Sequence, residues 1–91
     1  MMTSLVTLKL PGNIIEKIEG LNTLVKLKEL DLSFNNIEVI ENLNELVELE
    51  VLTIFQNRIK KLENMEMLVN LMIFSIGNNK IEDRYEVSTV I

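Results

Sequence analysis

The side chains that carry most protein chemistry are scarce in these 91 residues, which include no His and no Cys. The chain therefore offers no imidazole base, no thiolate nucleophile and no zinc-ligand set. Ser4, Ser33, Ser75 and Ser88 have no activating partner at a telling spacing. One carboxylate pair stands out: Glu29 and Asp31 are two apart and share a face in an extended segment, as an acid–base or cation site requires. Two solvated acids fit the same spacing and are the commoner arrangement. Gly12, Gly20 and Gly77 are isolated, so no Gly-rich loop cradles a phosphate. The residues call for no cofactor, metal or small-molecule substrate, and the expectation is a chain that is not an enzyme.

The elements that position these residues are set by a 22-residue unit read four times: LVTLKLPGNIIEKIEGLNTLVK from Leu5, LKELDLSFNNIEVIENLNELVE from Leu27, LEVLTIFQNRIKKLENMEMLVN from Leu49 and LMIFSIGNNKIEDRYEVSTVI from Leu71. Position one is Leu5, Leu27, Leu49 and Leu71; position four is Leu8, Leu30, Leu52 and Phe74; position six is Leu10, Leu32, Ile54 and Ile76. Leu-x-x-Leu-x-Leu-x-x-Asn at this period is the signature of a leucine-rich-repeat solenoid. Positions four to six alternate apolar, polar and apolar, the two-residue period of a half-buried strand. What remains of each unit has room only for a turn and an irregular, 3₁₀ or short helical return, so the strands must run parallel. The expected fold is an α/β solenoid. It is a right-handed arc of repeats 5–26, 27–48, 49–70 and 71–91 in one domain spanning 1–91, with strands on the concave face and returns on the convex one.

Position nine is always asparagine: Asn13, Asn35, Asn57 and Asn79. A chain leaving a strand strands buried backbone groups, and a short amide can satisfy them and those of the adjacent turn. The four amides read as a structural ladder; the alternative is an amide-lined ligand groove. Positions fourteen, seventeen and twenty supply Ile18, Leu21 and Leu24, then Ile40, Leu43 and Leu46, then Leu62, Met65 and Leu68, to close the core. Arg84 breaks the pattern in the fourth unit, and a buried unpaired guanidinium is too costly to keep. Residues 82–91 are therefore expected to be a divergent cap or a frayed end. The segments Leu5 to Leu10 and Phe74 to Ile76 should be exposed as open ends of the array, and a chain this short should have modest stability.

Net charge is −5, distributed as +1, −5, 0 and −1 over the successive units. Glu38, Glu41, Glu45 and Glu48 put most of the acidity on the return side of the second unit. A nucleic-acid surface needs the opposite sign, so that class is set aside. No apolar run approaches the length of a membrane span, and there is no basic-then-apolar leader. With no disulfide either, the default expectation is a cytoplasmic protein.

Function is expected on the outward strand positions three, five and seven. Their columns are Thr7, Glu29, Val51 and Ile73; Lys9, Asp31, Thr53 and Ser75; and Pro11, Ser33, Phe55 and Gly77. The first half is polar and the second apolar. An aromatic between β-branched residues, rimmed by Thr53, Ser75 and Gln56, has the composition of a protein-binding hot spot, although strand surfaces favour such residues in any case. Glu29, Asp31, Val51, Thr53, Phe55, Ile73 and Ser75 are the candidate partner surface, with Val51, Phe55 and Ile73 exposed. Phe34 is expected to pack on a neighbouring turn as a structural residue. Thr89, Val90 and Ile91 also fit a C-terminal ligand for PDZ domains.

Asn-x-Ile-x-x-Ile-x-x-Leu places the unit in the 22-residue subclass of leucine-rich repeats. Within it, NIIEKIEGL at 13–21, LDLSFNNIE at 30–38, FQNRI at 55–59 and FSIGNN at 74–79 resemble the repeats of the dynein regulatory complex subunit 3 family. That family sits in the nexin link between doublet microtubules of motile cilia and flagella. The resemblance implies a non-catalytic scaffold of the axonemal cytoskeleton that helps regulate dynein. Members of that family carry further repeats and a long coiled coil, which this chain lacks. The subclass also includes a regulatory subunit of protein phosphatase 1 that grips the enzyme with its concave face, and the aromatic and acidic residues here would suit that role too.

Overall fold

The computed structural model describes residues 4–82. Four strands, β1 (Thr7–Lys9), β2 (Glu29–Asp31), β3 (Val51–Thr53) and β4 (Ile73–Ser75), form one parallel sheet in sequence order. The register follows the repeat without slip: Leu8 lies beside Leu30, Leu30 beside Leu52, and Leu52 beside Phe74. Each strand begins one residue earlier than the apolar alternation implies. The ladder nonetheless reaches position six, where the N–H groups of Leu10, Leu32 and Ile54 donate to the Asp31, Thr53 and Ser75 carbonyls.

The returns are built from turns. Leu24 N–H donates to Leu21 O and Leu27 N–H to Leu24 O, and the pattern recurs from Leu43 through Leu49 and from Met65 through Leu71. Bonds of this i to i+3 kind bring every third side chain to the same side. That is why positions seventeen, twenty and one can all carry an apolar residue. No helix interrupts the returns among the described residues.

The core runs as columns through the array. Leu27, Leu30, Ile37, Ile40, Leu43, Leu46, Leu49, Leu52, Ile54 and Ile59 are fully buried. Leu5, Leu8, Leu10, Leu71, Phe74, Ile76 and Ile81 at the two ends are only partly covered. Beyond Glu82, the divergent segment with Arg84, and the Thr89-Val90-Ile91 terminus, lie outside the described residues.

Candidate functional site

The turn after each strand is held by the asparagine at position nine. Asn57 donates through Nδ2 to Leu32 O of the preceding unit at 2.9 Å and to Ile54 O and Phe55 O of its own, while its Oδ1 accepts from Ile37 N–H at 3.0 Å. Asn35 makes the equivalent bonds to Leu10 O, Leu32 O, Ser33 O and Ile15 N–H. Asn79 does the same with Ile54 O, Ile76 O, Gly77 O and Ile59 N–H. Asn13 keeps only the bonds within its own unit, to Leu10 O and Pro11 O. Asn35, Asn57 and Asn79 thus each tie their unit to the one before it.

A second asparagine column lies on the return side, at position sixteen, and the spacing argument missed it. Asn42 and Asn64 sit at φ 62° and 61°, and donate to Ile18 O and Ile40 O of the preceding unit at 2.6 and 2.7 Å. Gly20 occupies the same position at φ 76°. Gly and Asn at this position in the first three units were the available signal, because those residues enter the left-handed region most easily.

The sheet places the outward residues in ordered rows. Glu29, Val51 and Ile73 are register partners, as are Asp31, Thr53 and Ser75. Lys9 Nζ pairs with Glu29 Oε2 at 3.6 Å. Asp31 Oδ1 accepts from Ser33 N–H at 2.9 Å, closing an Asx turn at the end of β2. The two carboxylates therefore each have a neighbour that accounts for them, one an ion pair and the other a turn.

Three expectations change on this face. Val51 and Phe55 are half-buried rather than exposed, and only Ile73 of the three is open, at 57%. The Phe55 ring lies against Gly77, where an added Cβ would stand 3.3 Å from Cδ1 and Cε1. Glycine there gives the ring its seat, a role that its isolation in the sequence did not betray. Ser33, expected to face outward, is 4% exposed, and its Oγ has no hydrogen-bond partner. Phe34, expected to be structural, is 53% exposed at φ 58° and meets Phe55 edge-on, with ring centroids 5.6 Å apart and planes at 68°. The aromatic feature is thus a pair rather than a single ring.

No family model and no curated protein sequence matches this chain. Among solved structures, an internalin (InlF) of Listeria monocytogenes strain 4b F2365 matches it with a TM-score of 0.86 and 28% identity over 98% of this chain. The match takes in 26% of that internalin, so this chain spans about a quarter of its length. The neighbour is a leucine-rich-repeat protein. Its likeness and the parallel four-stranded sheet together give this chain a leucine-rich-repeat, solenoid-like fold.

Proposed function

We propose that this chain is a non-catalytic scaffold that holds a protein partner on its strand face, and that the partner belongs to the nexin–dynein regulatory complex of the axoneme. Val51, Phe55 and Ile73 supply the apolar contact, with Thr53 and Ser75 between them and Glu29 and Asp31 at the acidic side. One observation carries the choice of face. Phe55, half-buried with its ring against Gly77, meets the exposed Phe34 edge-on, and the open Ile73 pairs with Val51 in the same sheet. A half-buried aromatic in a prepared seat, as Phe55 is, loses little side-chain freedom on binding, the property expected of an anchor. The axonemal assignment, with its location in the cilium or flagellum, is supported by the sequence likeness at 13–21, 30–38, 55–59 and 74–79.

Affinity capture from a ciliated-cell extract tests the reading, with the chain and a Phe55→Ala/Ile73→Ser variant side by side and thermal melts of both as the folding control. The expected result is loss of axonemal linker proteins by a folded variant. Retention of protein phosphatase 1 instead moves the assignment to the phosphatase-binding reading of the acidic and aromatic face. Equal capture of axonemal proteins by both chains removes the strand face from the function.

A further inference from the structure

The turns that follow β2, β3 and β4 line a groove of about 660 Å³ on the edge of the array. Its walls include Phe34, Asn36, Gln56, Arg58, Asn78 and Lys80, and none of its lining residues is acidic. That is notable in a chain of net charge −5. We propose that this groove receives an extended acidic peptide segment, with Arg58 and Lys80 taking its carboxylates and Phe34 an apolar side chain at one end.

Arg58 and Lys80 both occupy position ten, in consecutive units. Arg58 N–H donates to Ile37 O and Lys80 N–H to Ile59 O, so each is tied to the rung before it. Neighbouring rungs are about 4.8 Å apart, which puts the two cationic residues at adjacent places along one wall of the groove. Among the described residues neither has a carboxylate at ion-pair distance, the pairs there being Lys9 with Glu29 and Lys61 with Glu63. Like charges on adjacent rungs repel, and an anionic guest relieves that repulsion where the protein itself does not.

The groove also limits how a guest is held. The backbone N–H groups of Phe34, Asn36, Gln56, Arg58 and Lys80 are already engaged, by Phe55 O, Ile15 O, Gly77 O, Ile37 O and Ile59 O. At these positions recognition falls to side chains. The Arg58 guanidinium offers the fork that matches a carboxylate, and Lys80 a point charge beside it. Asn78 Nδ2 donates to Gln56 Oε1 at 3.1 Å, which leaves the Gln56 amide N–H groups to face a guest. From the unit of Phe34 to that of Lys80 is two rungs, about 10 Å, the length of roughly three extended residues. An apolar residue followed by acidic ones fits this order. The inference does not rest on the strand-face reading, whose test uses Phe55 and Ile73.

The test is a titration of the isotopically labelled full chain by heteronuclear NMR. The probe is the capped peptide Leu-Glu-Glu-Glu, with Leu-Gln-Gln-Gln and inorganic phosphate run alongside. The expected result is saturable shifts at Gln56, Arg58, Asn78 and Lys80 with the acidic peptide, weakening as salt is added. Arg58→Glu/Lys80→Glu should lower the affinity about tenfold or more, through lost and reversed charge. Lys17→Glu/Lys26→Glu, which changes net charge equally but lies in the first unit, should leave it within about twofold, because distant exposed charges are screened. Both variants change exposed side chains, and the dispersion of their spectra checks folding. Four results overturn the proposal: no shift at millimolar acidic peptide, equal binding of the glutamine peptide, equal loss in the first-unit variant, or equal occupancy by phosphate.

Discussion

The middle of the array and its first repeat are written with the same unit, yet they are not held in the same way. Leu30 and Leu52 are fully buried with a unit on either side, whereas Leu8 at the same position is only partly covered. Asn57 spans two units through four hydrogen bonds, whereas Asn13 makes two within its own. The difference teaches that a unit carries only part of its own stability. The rest comes from the face that its neighbour covers, as expected of a quasi-one-dimensional stack.

Paired substitutions can break or sharpen this comparison. The largest contrast is expected between Leu52→Ala, at about 2–5 kcal/mol of lost stability, and Leu8→Ala, at under about half of that, because a partly open site loses less transfer energy and leaves no closed cavity. Urea denaturation of both variants measures it, and equal losses would mean that the first repeat is as tightly packed as the centre. Next comes the amide ladder. Asn57→Ala leaves Ile37 N–H and Leu32 O without their partner and should cost about 1–3 kcal/mol. Asn13→Ala, where water can replace the amide, should stay within about 0.5 kcal/mol. A neutral melt for Asn57→Ala would remove the ladder from the account. The smallest effect is assigned to Lys9→Ala, whose pair with Glu29 is well exposed and should change stability by less than about 0.5 kcal/mol. A larger loss in low-salt melts would show that the first repeat is fastened by charge where it lacks apolar cover.

Much of this was readable from the residues, and the misses share a cause. Period fixes register: Thr7 beside Glu29, Glu29 beside Val51 and Val51 beside Ile73 follow from counting by 22. Inward positions were equally plain, since Leu and Ile dominate there, with Met65 and Phe74 as apolar replacements. The in–out alternation was carried too far, however. It holds while the chain is extended, and the strand ends at Asp31, whose carboxylate turns the backbone at Ser33. Past that bend, a small serine between Pro11 and Phe55 in its column is covered, and Phe34, in the left-handed region, is turned out to solvent. Phe55 came out half-buried because the space over Gly77 admits its ring, a fit between two units that neither residue states alone. Asn42 and Asn64 escaped because their work is done by backbone angle as much as by hydrogen bonding.

The two asparagine columns have a consequence for how such a chain can change length. One closes the turn after the strand and the other pins the return, so the second and third units are each stitched to the unit before along two seams on either side of the leucines. A single inserted residue between the seams would leave one aligned and throw the other out of step. Excision of a whole unit, such as residues 27–48, would instead carry Asn57 onto the groups that Asn35 now serves and Asn64 onto the place of Asn42. Double stitching makes the array indifferent to how many units it contains and intolerant of any fraction of one, so growth and loss by complete duplications is the route that its own hydrogen bonds leave open.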